Sequence, residues 1–170
     1  EGFHSQVNLG ETILAGGVGR IIESSVEGWT VGQAVRGPLC AQTVATVTAD
    51  VLEKVDDTVG SLSAYLGALG ASTGVTSWIG VRRVAKPKPG DVFVVSAAAG
   101  AVGSIVGQIA KLDGAYVIGI AGGERKVSYL TKSLGFDAVI DYKNEDVKAR
   151  LRELVPGGVD IFFDNVGGGI

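Results

Sequence analysis

Residues 91–112 constrain the fold of this chain more than any other stretch of it. A short apolar run at residues 92–95 is followed by a cluster of small residues and then by apolar residues at helical spacing. That order predicts a β-strand, a tight turn and an α-helix. The turn contains Ala98, Gly100 and Gly103 in a G-x-G-x-x-G pattern whose first position is alanine, so the stretch predicts one strand–turn–helix unit of an α/β fold.

The small residues of this turn indicate a binding function. They let the backbone turn sharply and approach a pyrophosphate closely, and the N-terminus of the following helix offers free N–H groups to the phosphate oxygens. Because a strand pattern precedes the turn and a helix pattern follows it, we interpret it as a dinucleotide-binding turn. The alternative is a tight strand-to-helix turn in another kind of α/β protein.

Strand and helix patterns alternate through the rest of the chain. Further strands are predicted at residues 116–121, 138–140 and 161–163, and helices at 102–112 and 124–134. A third helix is predicted to be capped by Asn144. Such crossovers require a parallel sheet, so the predicted fold class is α/β with a doubly wound, Rossmann-like sheet. A sheet of this kind has about six strands, so we expect it to be incomplete here.

Residues 1–60 are predicted to be rich in β-structure. Short apolar runs at 12–15, 18–24, 40–48 and 51–55 are separated by glycine-containing turns, which favours a small barrel or sandwich. Residues 61–86 change to helical spacing with a glycine-rich break, which predicts two short helices. We therefore predict a partial β-domain at 1–60, with linker helices and the N-terminal part of the nucleotide-binding domain at 61–170.

Charge and composition exclude several functional classes. The chain has a formal net charge of −3 with scattered basic residues, which disfavours nucleic acid as a ligand. It lacks an apolar stretch long enough for a membrane helix and has one cysteine, so we expect a cytoplasmic protein without membrane contact. The 170-residue sequence contains no methionine and ends directly after an apolar run, which predicts a fragment of a longer protein.

No metal site is expected from the residues present. Catalytic zinc requires three protein ligands, usually His, Cys or carboxylate, whereas this sequence has one histidine and one cysteine. We expect His4 in an exposed loop and Cys40 as a small buried apolar residue. The same scarcity argues against a hydrolase with a Ser/His/Asp or Cys/His arrangement.

The end of the strand predicted at 116–121 indicates which dinucleotide is bound. NAD sites place Asp or Glu there, about 20 residues beyond the turn, to bind the ribose hydroxyls. Here the strand ends in Gly122-Gly123, and Glu124 is followed at once by Arg125 and Lys126. A 2′-phosphate needs cationic partners, so we predict NADP(H), with Lys126 as the phosphate contact. The alternatives are NAD, or basic residues that only begin an exposed helix.

Two other predicted strand ends carry polar or aromatic residues. Strand ends of this kind face the ligand crevice. Asp164 and Asn165 follow the strand predicted at 161–163, within reach of the ribose and nicotinamide, although a simple Asx turn explains the pair equally well. Tyr142 follows the strand predicted at 138–140, where we place it at the adenosine end.

At these positions the sequence resembles the zinc-independent medium-chain dehydrogenase/reductases, in particular the branch of NADP-dependent alkenal and prostaglandin reductases. The matching segments are residues 94–104, 107–111, 118–123 with Lys126, 135–138, 141–143 and 163–168. Residues 17–22 resemble the chaperonin-10-like β-barrel of that family, and residues 87–90 resemble the turn before its first nucleotide-binding strand. The resemblance extends from about residue 8 to the end of the chain.

The resemblance implies a set of cofactor contacts. The implied residues are Gly100, Ala101, Val102, Gly103, Lys126, Tyr142 and Asn165. The first four would hold the pyrophosphate, Lys126 with Tyr142 beside it would meet the 2′-phosphate, and Asn165 would contact the ribose side. No catalytic residue is identified, because the substrate-pocket tyrosine of the family would lie beyond residue 170.

The resemblance also implies a reaction, the NADPH-dependent reduction of the activated C=C bond of enals and enones. Hydride goes to the β-carbon and a proton to the resulting enolate. A quinone reductase of the same superfamily is the nearest alternative, and a truncated cofactor-binding remnant without turnover is an alternative of another class. The expected partners are a small enal or enone and, in the full-length protein, a second copy in a homodimer; the fragment alone is expected to be inactive.

Overall fold

The computed structural model describes residues 7–168. The chain divides into two compact units, Glu1–Ala71 and Ser72–Ile170. The domain boundary predicted after residue 60 falls before this division and stays a prediction. His4 lies outside the described residues, so its expected place in an exposed loop also stays a prediction.

The first unit contains a three-stranded antiparallel sheet. Its strands are β1 (Gly17–Arg20), β2 (Ala34–Gly37) and β3 (Glu53–Lys54), in the order β1-β2-β3. Arg36 lies opposite Glu53 across β2 and β3, and its Nε donates to Glu53 Oε2 at 3.0 Å. Short 3₁₀-helices lie at Ala49–Val51 and Leu62–Leu66. This antiparallel sheet is the part of the chain for which the sequence predicted a partial barrel.

Two strands predicted in this unit are wrong. Residues 12–15 and 40–48 form no regular strand, although the Cys40 N–H donates to the Ala15 carbonyl at 2.9 Å. Cys40 has a φ of 59°, a left-handed value that a β-ladder cannot continue. Its side chain is half-buried. The sequence pattern did not predict strand β2, because only the first two of its four residues are buried.

The second unit is built on a four-stranded parallel sheet. Its strands are β4 (Val92–Val95), β5 (Tyr116–Ala121), β6 (Ala138–Asp141) and β7 (Ile161–Phe163), in the order β6-β5-β4-β7. Counted from the first strand of the unit, this is the order 3-2-1-4, with which a doubly wound nucleotide-binding sheet begins. The predicted α/β, Rossmann-like fold class is confirmed, and β5 and β7 have the predicted bounds.

Four α-helices accompany the strands in the described part of the chain. They are α1 (Thr73–Ile79), α2 (Ala101–Leu112), α3 (Glu124–Ser128) and α4 (Val147–Leu154); π-helical turns at Gly80–Ala85 and Tyr129–Ser133 extend α1 and α3. The predicted cap of α4 is wrong. The Asp146 carboxylate caps this helix by accepting a hydrogen bond from the Ala149 N–H at 2.7 Å, whereas Asn144 donates to Asp141 at 2.8 Å. Either side chain suits a cap, and the contact with Asp141 decides between them.

Apolar side chains cover both faces of the parallel sheet. Along β4, Phe93 and Val95 belong to one buried cluster and Val94 to the other. Successive side chains of a strand point to opposite faces, so a strand buried on both sides has a continuous apolar sequence. Helix α2 packs on the first face with Val106 and Ala110 fully buried. The two clusters fix the strands, and with them the segments that follow their carboxyl ends.

Candidate functional site

A cavity of about 750 Å³ lies at the carboxyl ends of the strands. Its walls come from segments that follow all four strands of the parallel sheet. The lining residues are Ala97, Ala99, Gly100, Ile120, Ala121, Gly122, Lys126, Tyr142, Glu145, Asp146, Val147, Lys148 and Val166. This is the edge at which doubly wound sheets bind their ligands.

The cavity brings together three of the residues predicted to bind a cofactor. Gly100, Lys126 and Tyr142 all line it, although they come from three different inter-strand segments. The other predicted residues lie beside the cavity without lining it. Ala101 is exposed, Val102 is half-buried and Gly103 is buried in the first turn of α2, and Asn165 precedes the lining residue Val166.

The glycine-rich turn passes very close to the start of α2. The Ala98 N–H donates to the Ile120 carbonyl at 3.0 Å, and the Gly100 N–H donates to the Ala97 carbonyl at 2.8 Å. A Cβ atom at Gly103 would lie 2.5 Å from the Ala97 carbonyl oxygen. Since real Cβ atoms do not approach that closely, only glycine fits at this position, and it lets α2 begin directly against the turn.

The first turn of α2 offers unpaired donors. Among the described residues, the N–H groups of Ala101, Val102 and Gly103 have no hydrogen-bond acceptor, as expected for the start of a helix. The partial positive charge of a twelve-residue helix adds to these donors. A pyrophosphate placed beside Gly100 would supply acceptors for these groups, so the turn fits the predicted ligand.

The loop after β5 is held by Asp141. This carboxylate is only 8% exposed and accepts hydrogen bonds from the Gly123 N–H at 2.8 Å, the Lys143 N–H at 3.1 Å and the Asn144 side-chain amide at 2.8 Å. These bonds, that from Gly123 above all, hold the pKa of Asp141 below its ordinary value. Gly123 has a φ of 95°, which a residue with a side chain rarely adopts.

The charged side chains that line the cavity differ in how they are engaged. Glu145 accepts a hydrogen bond from the Asp141 N–H at 2.8 Å and pairs with Arg150 at 3.3 Å. Asp146 caps α4. Neither Lys126 nor Lys148 forms an ion pair with any residue of the described range. The cations of the cavity are therefore free for an anionic ligand, while its carboxylates are already bonded within the protein.

A buried serine joins the ends of β4 and β7. The Ser96 hydroxyl donates to Asp164 Oδ1 at 2.6 Å and accepts from the Asn165 N–H at 2.7 Å. The Asn165 side-chain amide donates to the Ser96 carbonyl at 2.9 Å. The Ser96 hydroxyl, followed by the Val166 and Gly167 N–H groups, holds the pKa of Asp164 below its ordinary value. Asn165 is thereby oriented by two bonds, and its side-chain oxygen remains for a ligand.

Sequence reasoning did not single out Ser96, Asp141, Lys148 or Val166 as site residues. Ser96 and Asp141 are polar residues at the ends of apolar strands, which is a signal that the strand-end argument could have used. Lys148 and Val166 carry no such signal, because only the folded chain brings them to the cavity. Within residues 7–168, no group of three or more His, Cys, Asp or Glu side chains is arranged to hold a metal ion.

Comparison with known proteins supports the family resemblance that the sequence indicates. Residues 101–170 match a family model described as "Zinc-binding dehydrogenase". YfmJ, a putative NADP-dependent oxidoreductase of Bacillus subtilis (strain 168), is 46% identical over 158 residues, which make up 92% of this chain and 46% of that protein. CurA from Vibrio vulnificus, solved in complex with NADPH, matches with a TM-score of 0.83 and 36% identity over 99% of this chain and 50% of its own. Over nearly its whole length the chain is therefore similar to NADP-dependent oxidoreductases.

Another relative is the 2-alkenal reductase (NADP(+)-dependent) of Nicotiana tabacum. It is 41% identical over 161 residues, which cover 94% of this chain and 47% of that protein. The chain thus spans about half the length of the curated relatives it matches. The family resemblance inferred from the sequence is confirmed. The prediction of NADP(H) agrees with the names of both relatives and with the cofactor in CurA.

Proposed function

We propose that this chain forms the NADPH-binding part of a medium-chain reductase that acts on the activated C=C bond of enals or enones. One observation carries the cofactor half of this proposal. The loop after β5 contains Gly122-Gly123 where an NAD site places a carboxylate, and Lys126 lies on the wall of the same cavity as Gly100. The reaction half is supported by the family resemblance and by the name of one relative, the 2-alkenal reductase (NADP(+)-dependent).

The pyrophosphate of NADPH would lie at the glycine-rich turn. There Gly100 lines the cavity, and the unpaired N–H groups of Ala101, Val102 and Gly103 lie in the next turn of backbone. These are backbone donors at a helix N-terminus, the arrangement that dinucleotide phosphates prefer. The absence of a Cβ atom at Gly103 permits this close approach of turn and helix.

The 2′-phosphate would lie between Lys126 and Tyr142. Both line the cavity, and Tyr142 is 54% exposed. Lys148 supplies a second ammonium group on the cavity wall. Glu124 is exposed at the start of α3 and does not line the cavity, so it does not oppose the phosphate there. This distribution of charge favours NADPH over NADH.

The ribose on the nicotinamide side would meet Asn165. Its backbone and side-chain N–H groups are bonded to Ser96, which leaves the side-chain oxygen as an acceptor for a ribose hydroxyl. When bound, NADPH supplies the hydride for the β-carbon of the substrate, and the resulting enolate takes a proton. We also propose that the reaction is zinc-independent, because the whole sequence has one histidine and one cysteine.

The test is a pair of cofactor titrations on the intact protein. Lys126→Ala should raise the Kd of NADPH about tenfold or more, since it removes a charge-assisted contact with the 2′-phosphate. The Kd of NADH, which lacks that phosphate, should stay within about twofold. Lys132→Ala is the matched control, because Lys132 is an exposed lysine of the same helical segment away from the cavity. Equal effects of Lys126→Ala on both cofactors would refute the 2′-phosphate contact.

The substrate proposal is tested separately by steady-state assays with NADPH. The intact protein should reduce an α,β-unsaturated aldehyde with a higher kcat/KM than a quinone. A preference for the quinone would favour a quinone reductase of the same superfamily, and cofactor binding without turnover of either would favour a cofactor-binding remnant. The proposed homodimer and cytoplasmic location stay predictions. Among residues 7–168, none of the helices has the length and apolar character needed to cross a membrane.

A further inference from the structure

Two aspartates bracket β6 and bond to the backbone at the two ends of β5. Asp137 precedes β6, and its carboxylate accepts the Val117 N–H at 2.7 Å and the Lys111 ammonium at 2.6 Å. Asp141 ends β6, and its carboxylate accepts the Gly123 N–H at 2.8 Å. The first bond fixes the beginning of β5, and the second fixes the loop beyond its end. Only the second lies at the carboxyl edge of the sheet, where the cavity is.

The Asp141 carboxylate serves the protein and is not offered to a ligand. Its three donors, the N–H groups of Gly123 and Lys143 and the side-chain amide of Asn144, all come from the two loops that follow β5 and β6. With 8% of its surface exposed, it has little access to solvent. It therefore differs from the carboxylate of an NAD site, which lies at the tip of the second strand and binds ribose directly.

The residue after Asp141 contacts the same loop from another direction. The Tyr142 ring packs on Gly122 so closely that a Cβ atom at Gly122 would lie 2.7 Å from Cζ and 2.9 Å from the hydroxyl oxygen. The Tyr142 N–H also donates to the Ala121 carbonyl at 3.2 Å. Residues 141 and 142 thus hold the Gly122-Gly123 loop through a carboxylate, a ring and the backbone.

The position of Lys126 depends on this loop. The Lys126 N–H donates to the Gly123 carbonyl at 2.9 Å, so the first turn of α3 is built on the residue that Asp141 holds. A shift of Gly123 would therefore move this lysine relative to Tyr142. Two side chains that must meet one phosphate tolerate little change in their spacing.

We propose that Asp141 is a positioning residue for 2′-phosphate recognition, because its bond to Gly123 fixes the loop that brings Lys126 and Tyr142 to one wall of the cavity. The inference rests on the proposed NADPH function. Asp141 does not touch the phosphate. It acts through the backbone of the loop, and so it determines the choice between NADPH and NADH indirectly.

The experiment measures the Kd of NADPH and of NADH for the intact protein by the fluorescence of the bound cofactor. Asp141→Ala should raise the Kd of NADPH about tenfold, which is the effect of losing one charge-assisted bond. The Kd of NADH should change by no more than about twofold. Asp141→Asn keeps a carbonyl oxygen that can accept the Gly123 N–H, so it should restore part of the preference for NADPH. Asp137→Asn, the matched control at the other end of β5, should leave the ratio of the two constants unchanged.

The outcomes separate this inference from the proposed function. If Lys126→Ala abolishes the preference for NADPH but both Asp141 variants keep it, the positioning role is overturned and the proposed function stands. If the unaltered protein shows no preference for NADPH, both are overturned. If the alanine and asparagine variants do not fold, Asp141→Glu tests the same bond, because it keeps the charge but changes the reach of the carboxylate to the Gly123 N–H. An Asp141→Glu protein with an unchanged ratio of the two constants would overturn the inference, and a selective loss of NADPH binding would support it.

Discussion

The ring of Phe136 packs against the backbone of Gly107, so that a Cβ atom at Gly107 would lie 2.0 Å from Phe136 Cζ. The same ring lies near Gly119 of β5, where a Cβ atom would be 3.0 Å from Cδ1. Phe136 is 4% exposed. Two glycines, one on α2 and one on β5, thus make room for one aromatic ring, and the ring joins the helix of the glycine-rich turn to the sheet beneath it.

Gly107→Ala should destabilise the protein by about 1–3 kcal/mol, the usual cost of overpacking a filled core. The sign of this change in stability tests the contact with Phe136. Alanine is a better helix former than glycine and would stabilise an exposed helix position by about 1 kcal/mol. The free energy of unfolding in urea is the measurement.

A double variant gives the control for this prediction. Leucine lacks the ring atoms nearest to Gly107, so Gly107→Ala should cost much less in a Phe136→Leu protein than in the unaltered one. Equal costs in the two backgrounds would contradict the proposed contact.

Ser96→Ala should lower the free energy of unfolding by about 1–3 kcal/mol, because it leaves the Asn165 N–H without its acceptor. The Ser96 side chain is fully buried, so water cannot replace the hydroxyl without rearrangement. Ser104→Ala is the comparison, since its hydroxyl donates only to the Ala101 carbonyl one turn away, and it should change stability by less than about 0.5 kcal/mol. Similar costs for the two variants would show that the Ser96 network does not hold the strand ends.

Acidification should lower the free energy of unfolding, because it protonates the Asp164 carboxylate that holds the segment after β7. The pKa of Asp164 is held below its ordinary value of 3.8 by the Ser96 hydroxyl and the Val166 and Gly167 N–H groups, so the folded protein binds its proton less readily than the unfolded chain. The resulting stabilisation is fully present above pH 3.8 and is lost as the pH falls through the folded-state pKa. Asp141 contributes in the same direction.

Urea unfolding at a series of pH values from neutral to about 3 measures this effect. Asp164→Asn should be less stable than the unaltered protein near neutral pH, and its stability should fall less steeply on acidification, because one titrating group has been removed. Parallel pH profiles for the two proteins would argue against the depressed pKa of Asp164.

Local pattern predicted the second unit of the chain well. Strands β5 and β7 have the bounds that their apolar runs indicated. The first unit was predicted less well. Residues 40–48 have the composition of a strand, but the left-handed backbone of Cys40 and the lack of a continuous partner leave them irregular.

The sequence by itself determined the strand–turn–helix unit, the glycine-rich turn, the absence of a carboxylate at the tip of β5 and the presence of Lys126 after it. These are local features, because glycine, charge and apolar spacing act within a few residues along the chain. Only the tertiary structure showed that Asp141 bonds to Gly123 and Ser96 to Asp164 and Asn165. Each of these contacts joins residues that lie far apart in the chain but at adjacent ends of parallel strands, and strand order is decided by packing of the whole sheet.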